Sequence, residues 1–373
     1  MSLQLIIQLA IIALIVGTIP LTYAMVKGSA KEYHRFVWLV LFCTFDLILF
    51  GAFTRLTDSG LGCPDWPGCY GQSNPLLALQ EIQLAQAEMP FGPVTLTKAW
   101  IEMLHRYFAS GVGFLIIVLV VVAWLKRATL GLQTFYGAMV LLILVCLQGA
   151  FGAWTVTLKL QPLIVSMHLL LAMILVIGLT CLGEFSHSAN QQNRAFRKSP
   201  SYSLAWPIIL LVVSLWQIFL GAWVSTNYAV LACNGFPLCN GELIPSQMDF
   251  EHGFTWWREL GKTASGEYLS VHALTAIHWV HRLGALVILL TVIIFLVMTK
   301  AEILKGDFLW QSRLTFWRKA LIGIIFLQIG TGLSNVVLNW PMIAALAHTG
   351  GAALLVICAT QLILLALPKP IDS

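Results

Sequence analysis

Charge is what this sequence has least of. Only 10% of its 373 residues are Asp, Glu, Lys or Arg, where a soluble globular chain carries about a quarter. So few charges cannot clothe an aqueous surface when 59% of the residues are hydrophobic. A soluble enzyme is excluded and a membrane protein is implied. Long basic runs are missing too, and with them the footprint of a nucleic-acid binder. No basic stretch precedes the first apolar run, and that run is too long for a signal-peptide core, so it reads as a retained span.

What is present is a series of apolar segments, each long enough to cross a bilayer with about 20 residues. Nine are read, at roughly 3–25, 36–55, 100–125, 135–156, 162–182, 205–226, 276–298, 319–338 and 342–366. The connections alternate in charge. One set holds Lys27, Lys31 and Arg35, then Lys126 and Arg127, then Arg194, Arg197 and Lys198. It continues with Lys300, Lys305, Arg313, Arg318 and Lys319, and ends with Lys369. The other set is two long loops, about 56–99 and 227–275, poor in basic residues. Because positive charge gathers on the cytoplasmic side, the long loops are expected outside, with the N-terminus outside and the C-terminus inside.

The chain repeats itself. Gly51-Ala52-Phe53 matches Gly221-Ala222-Trp223, and Cys63 and Cys69 match Cys233 and Cys239, all at an offset of 170. His105-Arg106 matches His281-Arg282 at 176. Leu147-Gln148, Gly152 and His168 match Leu327-Gln328, Gly332 and His348 at 180. The expected fold is an all-α polytopic membrane protein: two tandem four-helix bundles in parallel repeat, plus one extra N-terminal span. The repeats are expected to be related by a pseudo-two-fold axis along the membrane normal. The divisions are 1–30 for the extra span, 31–184 for the first half, 185–204 for a cytoplasmic linker and 205–373 for the second half. The first span reads as a lipid-facing anchor.

Each half carries one His on its second helix and one on its fourth: His105 with His168, and His281 with His348. Ionisable residues inside spans are costly and mark functional sites. All four are expected at a similar depth, about 8–9 Å below the outer boundary at 1.5 Å per residue. Two imidazoles at one depth on different helices can clamp a haem iron from opposite faces. Two per site, without repeated Cys or carboxylate partners, is a poor zinc set. His34 and His187 are expected to be solvated at cytoplasmic ends, and His252 and His272 to lie on the second outer loop. His278 is the alternative ligand to His281, one helical turn away.

The halves differ at one marked place, where Glu102 in the first stands opposite His278 in the second. A carboxylate one turn from a ligand could stabilise charge developing at a macrocycle edge, or could serve only the helix dipole. Glu102 is therefore the candidate catalytic residue. Arg106, Arg282 and Arg55 are candidate partners of haem propionates, with snorkelling to the interface as the alternative. Gly149, Gly152, Gly330 and Gly332 allow close approach, and Gln148 and Gln328 read as interhelical hydrogen-bonders.

Eight cysteines remain. Cys43, Cys146, Cys181 and Cys358 sit in apolar runs and read as small core residues. Cys63 with Cys69 and Cys233 with Cys239 lie in loops on the oxidising side, where local disulfides are expected. A clasp and a redox pair both suit that spacing. There is no Cys-x-x-Cys-His for covalent haem attachment.

The run from Gly51 through Arg55-Leu56-Thr57-Asp58-Ser59-Gly60 to Leu61, the Glu102-x-x-His105-Arg106 motif and its partner His281-Arg282 closely resemble the haem A synthase family, over about residues 36–366. The resemblance implies a two-bundle fold in the bacterial inner membrane, with haem sites toward the periplasm. It implies haem b held by His281 and His348, and a substrate site for haem O formed by His105, His168 and Glu102. It implies oxidation of the C8 methyl of haem O to a formyl through a hydroxylated intermediate, for haem-copper oxidases. The cysteine pairs match the branch of the family with loop disulfides. The extra first span departs from the family's eight-helix pattern. Haem O synthase and haem-copper oxidase assembly factors are candidate partners alongside the lipid bilayer, and a homo-oligomer is a candidate state. The competing reading is a bis-His dihaem electron carrier, which has no need of Glu102 in only one half. A parallel-repeat transporter would place its sites nearer the midplane.

Overall fold

The structure is a computed structural model and describes residues 30–189, 203–301, 303 and 308–367. The first apolar segment, Lys27, Arg194, Arg197, Lys198, Lys305, Lys369 and the side chain of His187 lie outside the described residues. The described residues form two compact units, one ending at Ala189 and one beginning at Ser203.

The protein is all-α and polytopic. In the first unit the long helices are α1 (Ala30–Leu56), α3 (Leu96–Leu125), α4 (Leu132–Thr157) and α5 (Pro162–Ala189), with the short α2 (Leu79–Glu88) in the loop after α1. In the second they are α6 (Ala205–Thr226), α7 (Val271–Met298), α8 (Phe308–Val337) and α9 (Met342–Ala366). The eight long helices are all apolar enough to cross a membrane, and a backbone in lipid must satisfy its hydrogen bonds within the helix. Among the described residues the only β-pairing is isolated bridges, two of them at the cysteine loops: Cys69 with Gln72 and Cys239 with Glu242.

Each unit is a bundle. In the first, α1 packs on α3 and α5, and α4 packs on α3 and α5. In the second, α6 packs on α7 and α9, and α8 packs on α9 while meeting α7 at only a few points. The end of the second bundle away from its long loop is packed shut by Leu210, Phe295, Trp310, Leu314, Cys358 and Leu362. Trp310 Nε1 donates to the Leu365 carbonyl there at 3.1 Å, so its one polar atom is not stranded in the core.

The repeat is visible in the backbone. Outside glycine, φ is positive at eight described positions: Asp58, Tyr70, Lys159, Leu160, Tyr228, Asn240, Asn339 and Trp340. Such residues are uncommon. Here the first four recur as the last four at the same offsets of 170 and 180 that relate the sequences. Trp66-Pro67 and Phe236-Pro237, also 170 apart, are both cis.

The structure alters the expected boundaries in one consequential way. α3 begins at Leu96 and α7 at Val271, about a turn further toward the loops than the apolar pattern indicates. Side-chain caps cause this: Thr95 accepts from the Lys98 N–H and Ser270 from the Ala273 N–H, each at 3.2 Å. His105 is therefore the tenth residue of α3 and His281 the eleventh of α7, whereas His168 and His348 are each the seventh of theirs. Equal distance from the helix ends, the basis of the common-depth expectation, does not hold. α8 also starts early, at Phe308, because its first turns are amphipathic rather than uniformly apolar.

Candidate functional site

The four histidines share one kind of seat. A Cβ placed on Gly51 of α1 would come within 3.2 Å of His105 Cε1, and one on Gly152 of α4 within 3.3 Å of His168 Cε1. In the second unit the same test brings Gly221 of α6 within 3.0 Å of His281 Cε1, and Gly332 of α8 within 3.3 Å of His348 Cε1. Each imidazole thus lies against a glycine of the preceding helix, where any side chain would push the ring away. Gly149 and Gly330 meet nothing within 4 Å, so within these bundles the close approach belongs to Gly152 and Gly332.

A second contact fixes the same helix pairs. Gln148 donates its carboxamide N–H to the His168 carbonyl at 3.0 Å, and Gln328 donates to the His348 carbonyl at 2.8 Å. In the first unit α1 packs on both histidine-bearing helices, α3 and α5, and in the second α6 packs on both α7 and α9. Each unit therefore brings together the two histidine-bearing helices the sequence pairs. Among the described residues no three of His, Cys, Asp and Glu converge to hold an ion by themselves. Two nitrogen donors without a third suit a metal whose other positions are filled by a macrocycle, and a ring held in a glycine notch is held in orientation. The residues present fit a haem.

The loops are fastened over these bundles by a repeated clamp. Cys63 is bonded to Cys69, and Cys233 to Cys239. Arg106 of α3 donates to the carbonyls of Asp65, Pro67 and Gly68, the last at 2.5 Å. Arg282 of α7 donates to those of Cys233, Gly235 and Leu238 at 2.6, 3.0 and 3.1 Å. Asp65 and Gly68 correspond to Gly235 and Leu238 at the offset of 170. Both guanidinium groups, candidate propionate partners by sequence, hold loop carbonyls here. The guanidinium's fan of donors suits it to several acceptors at once. Arg55 pairs with Asp58 at 3.0 Å.

Glu102 belongs to the first clamp. It is 3% exposed, pairs with Arg106 at 2.5 Å and accepts from the Cys63 N–H at 2.8 Å. Gly62 makes room for this, since a Cβ there would strike the Lys98 backbone at 2.5 Å. His278 stands where Glu102 does, equally buried, and accepts from Arg282 Nε at 3.4 Å. It faces the clamp and not the Gly221 seat, which His281 occupies. In the first loop Asp65 accepts from the N–H groups of Tyr70 and Gly71 at 2.7 and 2.6 Å.

The remaining histidines also have definite places. His34 is not merely solvated: its Nδ1 lies 2.8 Å from the Gly183 carbonyl of α5. His252 pairs with Asp249 at 2.7 Å on the exposed second loop. Backbone and side-chain hydrogen bonds from His252 hold the Asp249 carboxyl below its ordinary pKa. His272 is exposed.

Two residues that sequence reasoning passed over touch the histidines directly. Gln217 of α6 places its carboxamide nitrogen 3.0 Å from His281 Nδ1, and Thr331 of α8 places its hydroxyl 2.9 Å from His348 Nδ1. The signal that could have found them is the repeat itself. At these offsets the first half carries Leu47 and Phe151.

Fold and site together define a multi-pass membrane protein with two repeat-related, paired-histidine centres beneath disulfide-clasped loops. Residues 34–360 match the COX15-CtaA family model, described as cytochrome oxidase assembly protein. A Heme A synthase of Shewanella oneidensis is 35% identical over 330 residues, covering 87% of this chain and 94% of that protein. The Heme A synthases of Allorhizobium ampelinum and Brucella ovis are each 27% identical, over 92% and 81% of this chain and 93% and 82% of their own lengths. The chain belongs to the COX15-CtaA family of cytochrome oxidase assembly proteins.

Proposed function

We propose that this protein is a haem A synthase, a membrane oxidoreductase that converts the C8 methyl of haem O to a formyl group. Full-length similarity to proteins named Heme A synthase supports the activity. The observation that carries the assignment of roles is the difference between two otherwise matched centres. Both have paired histidines seated on glycines, and only the first has a carboxylate, Glu102, one turn from its histidine.

On this reading His281 and His348 hold haem b in the second half, and His105 and His168 receive haem O in the first. Haem b, held by these two histidines, would supply one-electron transfer. Glu102, one turn before His105 on α3, keeps a negative charge oriented by Arg106 and the Cys63 N–H. A preorganised charge of this kind stabilises positive character as electrons leave the methyl carbon. The disulfide loops are tied to the histidine-bearing helices α3 and α7 through Arg106 and Arg282. The basic short connections favour an orientation with these loops on the periplasmic face of a bacterial inner membrane. The first unit, whose last helix runs to Ala189, is then the substrate half, and the helices from Ala205 onward form the haem b half. Haem O synthase is a fitting donor of substrate, and an oxidase assembly factor a fitting acceptor of product.

An electron carrier would have no use for a clamp carboxylate in one half alone. The test is to extract haems from cells that supply haem O and express either this protein or its Glu102→Gln variant. Haem A from the first and not from the second supports the reading.

A further inference from the structure

The two centres differ at the far nitrogen of each imidazole. A histidine that ligates through Nε2 must carry its proton on Nδ1, and a partner for that proton fixes both tautomer and ring orientation. In the second unit Thr331 Oγ1 donates its single proton to the Leu327 carbonyl at 2.7 Å. Its oxygen is thereby left to accept from His348 Nδ1–H at 2.9 Å. That arrangement admits one tautomer of His348 and leaves its Nε2 lone pair free. Gln217 reaches the same atom of His281, through a nitrogen. Its carboxamide touches both Nδ1 and the His281 carbonyl, at 3.0 and 2.9 Å. One nitrogen makes both contacts, so a half-turn of the amide that offered Nδ1–H the oxygen would give up the hydrogen bond to the His281 carbonyl.

In the first unit the Nδ1 atoms of His105 and His168 are buried and have no hydrogen-bond partner among the described residues. Leu47 and Phe151, at the positions of Gln217 and Thr331, are hydrocarbon and accept nothing. Phe50 packs edge-on against the His105 ring at 5.7 Å between centroids. The histidine seats are otherwise alike, down to the glycines and the Gln148 and Gln328 contacts.

We propose that Thr331 and Gln217 are positioning residues that lock His348 and His281 as permanent axial ligands. Their absence from the first half leaves His105 and His168 as weaker ligands that let a haem enter and leave. This rests on the assignment of haem b to the second half and adds the reason that half retains it. A hydrogen-bonded Nδ1–H makes the imidazole a stronger donor to ferric iron, so its loss should also raise the reduction potential.

The experiment uses the purified, detergent-solubilised full chain with its haem b bound, and apomyoglobin as haem acceptor. Thr331→Val, which keeps shape and removes the acceptor, is expected to speed haem transfer by about 10- to 100-fold. It should also shift the midpoint potential upward, and Thr331→Ser should restore both values. Gln217→Leu installs the first-half residue. It should move rate and potential in the same direction, and it decides the matter if Thr331→Val does not accumulate in the membrane. Wild-type transfer rate and potential in Thr331→Val and Gln217→Leu would overturn the proposal. His348→Ala separates the two levels: full haem retention in that variant refutes the ligand assignment itself. Haem loss there, with Thr331→Val and Gln217→Leu unchanged, refutes only the role of the positioning residues.

Discussion

Glu102 and Arg106, one turn apart on α3, form a buried ion pair of 2.5 Å that faces the Cys63–Cys69 loop. The pair joins the loop to the helix that carries His105, which lies in the turn between its two members. Loop position and the orientation of the Glu102 carboxylate are therefore set together.

Replacing Glu102 should separate charge from shape. Glu102→Gln can still accept from the Cys63 N–H but has no charge. Haem A formation should fall by about a hundredfold or more, while haem b content of the purified protein stays at the wild-type level. Haem extracts and a pyridine haemochrome assay measure the two quantities. Wild-type haem A from Glu102→Gln would remove the charge from the account.

Arg106→Ala should act on stability as well as on the site. It strands the Glu102 carboxylate in a buried position and frees three loop carbonyls. Breaking a buried pair from one side costs about 3–5 kcal/mol. Loss of solubility on heating, followed by gel filtration in detergent, should begin at a lower temperature than in Arg282→Ala. His278 in the second clamp is not a fixed counter-charge, so that variant strands none.

The loop disulfides predict a thiol pattern. Alkylation of unfolded, unreduced protein should label Cys43, Cys146, Cys181 and Cys358 and leave the four loop cysteines unlabelled. Each loop closure contributes about 2 kcal/mol by its effect on the unfolded chain. Labelling of all four loop cysteines would contradict both the bonds and the outward orientation of the loops.

The glycine seats give a steric prediction. Gly221→Val places side-chain atoms against His281, whose Cε1 is already 3.0 Å from the position of a Cβ. Haem b affinity should fall about tenfold or more as the ring is displaced. Gly323→Ala, where nothing lies within 4 Å, should leave it unchanged. Haem stoichiometry of the purified variants reads this directly.

Much of this architecture was legible in the sequence because its signals are periodic or duplicated. Apolar length gave the eight described long helices, and the offsets of 170 to 180 paired His105 with His281 and His168 with His348. The helix starts were less legible, because Thr95 and Ser270 extend α3 and α7 through side-chain caps that apolar length does not register. The use of Arg106 and Arg282 was hidden for a different reason. Their acceptors are backbone carbonyls, which every residue has, so no residue type marked them. Gln217 and Thr331 lay in plain view as departures from the repeat at Leu47 and Phe151. A comparison that looks for matches passes over the mismatches.

The most direct measurement is of the haems themselves. Membranes from a haem O-producing host lacking its own haem A synthase should contain haem A when this protein is expressed. The purified protein should carry haem b that His281→Ala and His348→Ala each lose. Haem b without any haem A from the unmutated protein would contradict the account and leave a bis-histidine electron carrier in its place.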